Sequence, residues 1–225
     1  MLGLDTATRA VAACLVRSDG AVFEVVPRTT ALDGPPAHSS ALMPALVRVL
    51  EEGELGFGDL DAVAVGVGPG AFTGLRIGIV TARSIASARS LPVYPVSSLA
   101  ALAAGAEAEL TLAVLDARRG EAYAALHAGA EQRWPPFVAA PAALADSVRR
   151  IEDAPLAVGD GAVGFRAQLE AAGARVPADD SPLHVIRALS ICRLARTVSA
   201  VAPEAVLPDY LRDPDAVPAA PIASP

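Results

Sequence analysis

Apolar residues open the chain in short runs separated by turn-forming residues: Met1 to Leu4, Val11 to Val16 and Ala21 to Val26. Ser18-Asp19-Gly20, between the second run and the third, is hairpin-turn chemistry, so three antiparallel strands are predicted. Asp33-Gly34-Pro35-Pro36 reads as a loop. Ser39 or Ser40 is placed to cap a helix, and Ala41 to Glu52 has a helical character that stops at Gly53, with Pro44 in the first turn, where its missing N–H costs little. Ala62 to Val67 is a continuous β-branched run of the kind buried on both faces of a sheet. A glycine-rich turn, a helix from Leu75 to Arg89 and a short strand at Val93 to Val96 follow.

Strand, strand, strand, helix, strand, helix, strand is the element order of a ribonuclease-H-like unit, a mixed sheet with helices packed on it. This first lobe is expected to span residues 1–97. In a smaller second lobe, residues 98–213, Ser97-Ser98 caps a helix to Ala104, and Leu110 to Leu115 pairs with Ala122 to Leu126. The proline-rich stretch Gln132 to Pro141 is expected as loop. Helices are predicted at Ala142 to Arg150, Val163 to Ala172 and Leu183 to Ser199, with a strand at Leu156 to Val158. Residues 214–225 are rich in Pro and Ala without periodicity and read as a disordered tail. No internal sequence repeat is strong enough to use.

The chain has 225 residues, 53% hydrophobic and 19% charged, enough to bury a core and too apolar for general disorder. A formal charge of -7 argues against binding nucleic acid unaided, and five Phe, three Tyr and one Trp are too few for a base-stacking platform. All 18 basic residues are Arg, which removes every mechanism that needs an amine, including Schiff-base chemistry and the P-loop lysine. Cys14 and Cys192, far apart and each in an apolar segment, are expected as buried, reduced thiols, consistent with a cytoplasmic protein. Met1 to Asp5 has no signal-peptide pattern, and the longest uncharged run, Leu91 to Ala106, is too short and too proline-interrupted to span a membrane.

Candidate chemistry falls in three places. Gly66 to Gly74 joins a buried strand to a helix, either as an anion cradle or as a tight turn for close packing; it lacks the third glycine of the dinucleotide motif, Thr73 standing there. Beyond it Gly74, Gly78, Ala82 and Ala86 make a smooth four-residue ridge flanked by Leu75 and Ile79. In the preceding helix Leu42, Met43, Leu46, Val47, Val49 and Leu50 cover more of the circumference than one packed face needs. The surplus points to a helix-on-helix protein interface, with a fully intramolecular core as the alternative. Third, Asp5-Thr6 and Asp116, at strand ends, are expected either to cap turns or to share a ligand-binding cleft between lobes. His38, His127 and His184 have no metal-ligand spacing, and no nucleophile sits in a triad context.

Met1 to Ala7 (MLGLDTA), Gly68 to Gly78 (GPGAFTGLRIG), Val96 to Leu99 (VSSL), Asp116 to Tyr123 (DARRGEAY) and Pro208 to Arg212 (PDYLR) closely resemble the TsaB family, formerly YeaZ. The resemblance implies a two-lobed α/β fold of the actin-like, sugar-kinase-like (ASKHA) type. It also implies a non-catalytic part in making threonylcarbamoyladenosine next to the tRNA anticodon, in company with the transferase TsaD and the ATPase TsaE, tRNA being met only through the complex. The partner interface would comprise Leu42, Met43, Leu46, Val49, Leu50, Gly74, Leu75, Gly78, Ile79 and Ala82, which a homodimer could also use. Asp5, Thr6, Asp116, Gly159 and Gly161 would form a vestigial nucleotide cleft, with no cofactor required and any nucleotide bound weakly. TsaD has two metal-binding histidines one helical turn apart; here His38 remains and Leu42 replaces the second. Ala71 stands where Ser is usual, and Ala7 where nucleotide-binding relatives have Gly. The alternative is a metal-dependent nucleotide-binding or hydrolysing enzyme of the same superfamily using Asp5, Thr6 and Asp116.

Overall fold

The computed structural model describes residues 1–35 and 37–212; the tail expected at 214–225 lies outside the described residues. In chain order the elements are β1 (Leu2–Asp5), β2 (Ala12–Val16), β3 (Val22–Val25), α1 (Thr30–Asp33), α2 (His38–Glu52), β4 (Val63–Gly68), α3 (Phe72–Ser87), β5 (Val93–Ser97) and α4 (Ser98–Ala106). They continue with β6 (Leu110–Arg118), β7 (Glu121–Ala128), β8 (Glu131–Ala139), α5 (Pro141–Val148), β9 (Leu156–Val158), α6 (Asp160–Gly164), α7 (Arg166–Ala171) and α8 (Ala188–Leu194), with short 3-10 turns between some of them.

Two mixed sheets result, in the orders β3-β2-β1-β4-β5 and β8-β7-β6-β9. In each, the first three strands form an antiparallel meander and the fourth returns parallel to the first. The second sheet therefore repeats the first without its last strand, a duplication carried by topology and invisible as sequence similarity. β4 is buried on both sides, with Val63, Val65 and Val67 facing the α2 and α3 side and Ala64 facing α4. That two-sided burial is why its sequence shows no polar alternation.

α4 lies between the sheets and packs on β4 and β6. Its sequence, SLAALAAGA, is apolar all round because both sides are covered, and the Ser97 hydroxyl caps it by accepting the Ala100 N–H. The chain then comes home: α8 packs on β1 and β2, on the face of the first sheet opposite α2. Glu24 of β3 fixes its start, pairing with the Arg187 guanidinium and accepting the Leu189 N–H at 2.9 Å.

Several local expectations need correction. α2 begins at His38, with Ala37 at its N-cap; Ser39 and Ser40 lie inside the first turn, and Pro44 falls in the second. Gln132 to Pro141 is mostly strand β8. It lies at the edge of its sheet, where Pro135 and Pro136 can be accommodated. The helix expected over 163–172 is two short helices meeting at Phe165, and that over 183–199 is α8 flanked by 3-10 turns.

Candidate functional site

The duplicated topology puts the two flagged aspartates at equivalent places, at the carboxyl end of the first strand of each sheet. Each makes the same local turn: Asp5 Oδ1 accepts the Ala7 N–H at 2.8 Å, and Asp116 Oδ1 accepts the Arg118 N–H at 2.8 Å. Asp5 is not among the residues that line the cleft on which Asp116 lies. Asp5 is 2% exposed, and its Oδ2 accepts the Ser98 hydroxyl at 2.7 Å while that hydroxyl oxygen accepts the Gly68 N–H at 3.2 Å. Burial pushes the Asp5 carboxyl up to about 6, against the lowering effect of the Ser98 and Ala7 hydrogen bonds and of His38.

The glycine-rich turn is folded onto this carboxylate. A Cβ at Gly66 would collide with the Asp5 carboxylate, and one at Gly70 with the backbone of Ala7, whose carbonyl accepts the Ala71 N–H at 2.7 Å. The ridge on α3 continues the contact. Side chains at Gly74 and Gly78 would run into the carbonyl and hydroxyl oxygens of Thr6, and the Thr6 hydroxyl donates to the Gly74 carbonyl at 2.8 Å. Of the two readings of Gly66 to Gly74, the tight packing turn is the one realised, with the strand end seated where an anion would have to lie.

Asp116 lines an open cleft of about 550 Å³ with Arg9, Arg118, Asp160 and Gly161. Asp160 Oδ1 accepts two backbone N–H groups, from Asp116 at 3.0 Å and from Gly161 at 2.9 Å, and Arg118 pairs with Asp116 at 2.8 Å. Burial, and secondarily the Asp116 charge, push the Asp160 carboxyl up. Gly159, at φ 113°, tucks against the Val114 carbonyl, where a Cβ would collide. Thr6 and Asp5 are thus interior, whereas Asp116 and Gly161 face the cleft. Asp160, between the two flagged glycines, was not singled out by the pattern, and Ser98 was read as a helix cap and as part of the Val96 to Leu99 segment but not as a partner of Asp5.

His38 is buried, and its Nε2–H donates to the Thr8 carbonyl at 2.5 Å; Leu42 one turn on is in the core. Among the described residues no three His, Cys, Asp or Glu side chains gather as a metal-binding group.

The interface expectation needs the largest revision. Leu42, Leu46, Val49, Leu50, Gly74, Leu75, Gly78, Ile79 and Ala82 are all buried in the chain's own core; of the ten candidates only Met43, 44% exposed, faces outward. The sheet takes up a wider arc of each helix than one narrow stripe because α2 packs on β2 and β3 and also against α3. A different stripe stays outside. Met43 and Val47 lie one turn apart on α2, and Phe72 and Val80 lie two turns apart on α3, the latter pair 50% and 58% exposed. Tyr210 stacks on Phe72 with ring centroids 5.5 Å apart, Arg76 lies 3.7 Å over the same ring, and its Nε–H donates to the Tyr210 hydroxyl at 3.0 Å.

The segment carrying Tyr210 also joins the lobes. The Asp209 N–H donates to the Val67 carbonyl at 2.8 Å in the first sheet, while Arg212 donates to the Ala117 carbonyl at 3.3 Å and pairs with Glu121 in the second.

Residues 25–158 match the family model for TsaD, tRNA N6-adenosine threonylcarbamoyltransferase. The chain is 38% identical over 130 residues to the tRNA threonylcarbamoyladenosine biosynthesis protein TsaB of Escherichia coli, covering 55% of this chain and 52% of that one. YeaZ from Pseudomonas aeruginosa superposes with a TM-score of 0.73 at 28% identity, covering 92% of this chain and 98% of that one. The chain belongs to the TsaB (YeaZ) family. It shares the two-lobed, actin-like α/β fold of that family. An uncharacterized protein of Mycobacterium tuberculosis is 36% identical over 220 residues, 98% of this chain and 95% of that one. The alignment with the Escherichia coli TsaB spans about half of each chain.

Proposed function

We propose that this chain works in the biosynthesis of threonylcarbamoyladenosine in tRNA as a non-catalytic subunit, docking the transferase TsaD on the outer face of α2 and α3. The ATPase TsaE would join the complex, and tRNA would be met only there, in the cytoplasm. The observation that carries the reading is the exposed stripe of Met43, Val47, Phe72 and Val80 on a helix pair whose other faces are already packed. Covering four half-exposed apolar side chains is worth on the order of 4 kcal/mol, enough to favour a partner and too little to destabilise the free chain.

The cleft supports the same view. A nucleotide phosphate would need free N–H groups at the strand ends, and the chain's own carboxylates occupy them: Asp5 at Ala7, and Asp160 at Asp116 and Gly161. Any nucleotide would have to displace a buried or ion-paired carboxylate, so no cofactor is required and binding is weak. Relatives described as similar to the peptidase YeaZ do not alter this, because no Ser, Cys or Thr here is hydrogen-bonded to a histidine base among the described residues. No helix among them is long and apolar enough to cross a membrane.

The test is light scattering after size exclusion, with the chain alone and mixed with the TsaD of the same organism. Val80→Asp and Phe72→Asp should abolish the mixed complex while leaving the circular-dichroism spectrum unchanged. Undiminished pairing by both variants would overturn the assignment of this face. Loss of a homodimer in the same variants would show that self-association uses it too. Tight magnesium-dependent ATP binding would favour the enzymatic alternative.

A further inference from the structure

The face of the first sheet turned away from α2 and α3 holds Cys14 and Cys192, the chain's two cysteines. Cys14 stands directly opposite Gly3 in the β1–β2 ladder. Residues opposite one another on antiparallel strands project to the same face, with Cβ positions about 5 Å apart. α8 packs across these two strands, and the Cys192 Sγ sits in the space that a side chain at Gly3 would fill. The register therefore sets the two sulfurs side by side, in a small apolar cluster with Ala12 and Ala188. The neighbouring Cys192 thiol, and then burial, push the Cys14 thiol above the ordinary thiol range.

The two thiols differ in access. Cys14 is fully buried, whereas Cys192, itself only 3% exposed, lines a surface pocket of about 360 Å³ with Arg17, Leu189, Arg193 and Arg196. Both are free.

We infer that Cys14 and Cys192 form an oxidation site, closing to an intramolecular disulfide that fastens α8 to β2 when the protein meets a peroxide. Cys192, reached through the pocket, attacks one peroxide oxygen; the O–O bond breaks, leaving a sulfenic acid and one water. The Cys14 sulfur then displaces the hydroxyl; the S–S bond forms, the S–O bond breaks, and the proton from Cys14 leaves with it as a second water. Two thiols lose two electrons, and hydrogen peroxide takes them up. Gly3 is essential to this geometry, since any side chain there would push the Cys192 sulfur away from Cys14.

The bond would close a loop from Cys14 to Cys192 that takes in the whole second sheet and most of the first, constraining the unfolded chain, and would fasten α8 to the first sheet. The site is on the opposite side of the sheet from the proposed docking face, so it stands whether or not that face binds TsaD.

The experiment uses the full chain, treated with hydrogen peroxide, quenched with catalase, unfolded and alkylated. The expected result is a monomer lighter by two hydrogens with no alkylatable thiol, a melting temperature higher by about 10 °C, and reversal of both by dithiothreitol. In Cys14→Ser, Cys192 should stop at a sulfenic acid that dimedone traps. Two alkylatable thiols after treatment, sulfinic acids in place of the bond, or linkage only between chains would each overturn the proposal, and the wild-type readout decides even where the variant does not fold.

Discussion

Ionising Asp5 inside the first lobe should cost stability, and the sign and size follow from its surroundings. Its carboxyl titrates at about 6 in the fold against 3.8 for an unperturbed group, because burial disfavours the charged form more than the Ser98 and Ala7 hydrogen bonds favour it. A folded value raised above the unfolded one means that the native state holds the proton more tightly. The associated stability is fully present below pH 3.8 and is lost as the pH rises through about 6. At 1.36 kcal/mol per unit the full loss is about 3 kcal/mol, of which roughly 2 kcal/mol falls between pH 4 and pH 7. Asp5→Asn is nearly isosteric with the protonated acid. Its Oδ1 can still accept the Ala7 N–H, and its Nδ2 can donate to Ser98. The assay is urea unfolding followed by Trp134 fluorescence and by circular dichroism from pH 4 to pH 8, for wild type and variant. Titrations common to both cancel in the difference. The wild type should lose about 2 kcal/mol relative to Asp5→Asn between pH 4 and pH 7, then level off. A flat difference, or a wild type that gains on the variant as pH rises, would refute the account of Asp5 as a buried, desolvated turn-former.

Gly78→Ala should destabilise the fold by about 1–3 kcal/mol, because its Cβ meets the Thr6 hydroxyl against a rigid strand end; a thermal melt checks it, and an unchanged melting temperature would mean that α3 can slide. Leu46→Asp, at a position with no exposure, should abolish folding altogether, whereas the docking-face changes should not; circular dichroism separates the two. Arg212→Ala removes the Glu121 pair and the bond to the Ala117 carbonyl. It should cost about 1 kcal/mol and speed amide exchange at Asp209, whose N–H otherwise bonds to Val67.

Strand and helix order in the first lobe was legible because each element carries its own signal: the hairpin turn at Ser18 to Gly20, the β-branched run of β4, and the periodicities of α2 and α3. β8 was hidden by Pro135 and Pro136, which read as loop unless the strand is known to lie at an edge. The surplus of apolar residues on α2 was real, but sequence could not say how many faces the chain itself would cover. Contacts with two strands and with α3 take up Leu42, Leu46, Val49 and Leu50, leaving Met43 and Val47. The outward residues of α3 carry no pattern of their own in the sequence: Phe72 precedes the Leu75 start that the periodicity indicates, and Val80 stands alone opposite the small-residue ridge. Asp5 and Asp116 both lie at strand ends, as the sequence indicates, but in different surroundings, one interior and one on a cleft. What sequence lacked was the topology that makes them equivalents in separate lobes, and the Ser98 and Asp160 partners that commit them.

The chain between Val67 and Glu121 closes through residues 209–212, and this has a mechanical consequence. Tyr210 sits on the Phe72 ring at the edge of the outward stripe, and Arg212, two residues and at most about 7 Å further along, is anchored in the other lobe. A change in the angle between the sheets is therefore transmitted as tension along this short tether to the aromatic edge of the surface. Conversely, a body pressed against Tyr210 resists that change. Within four residues, Tyr210, Asp209 and Arg212 thus tie the exposed α3 surface, β4 and the second sheet to one another.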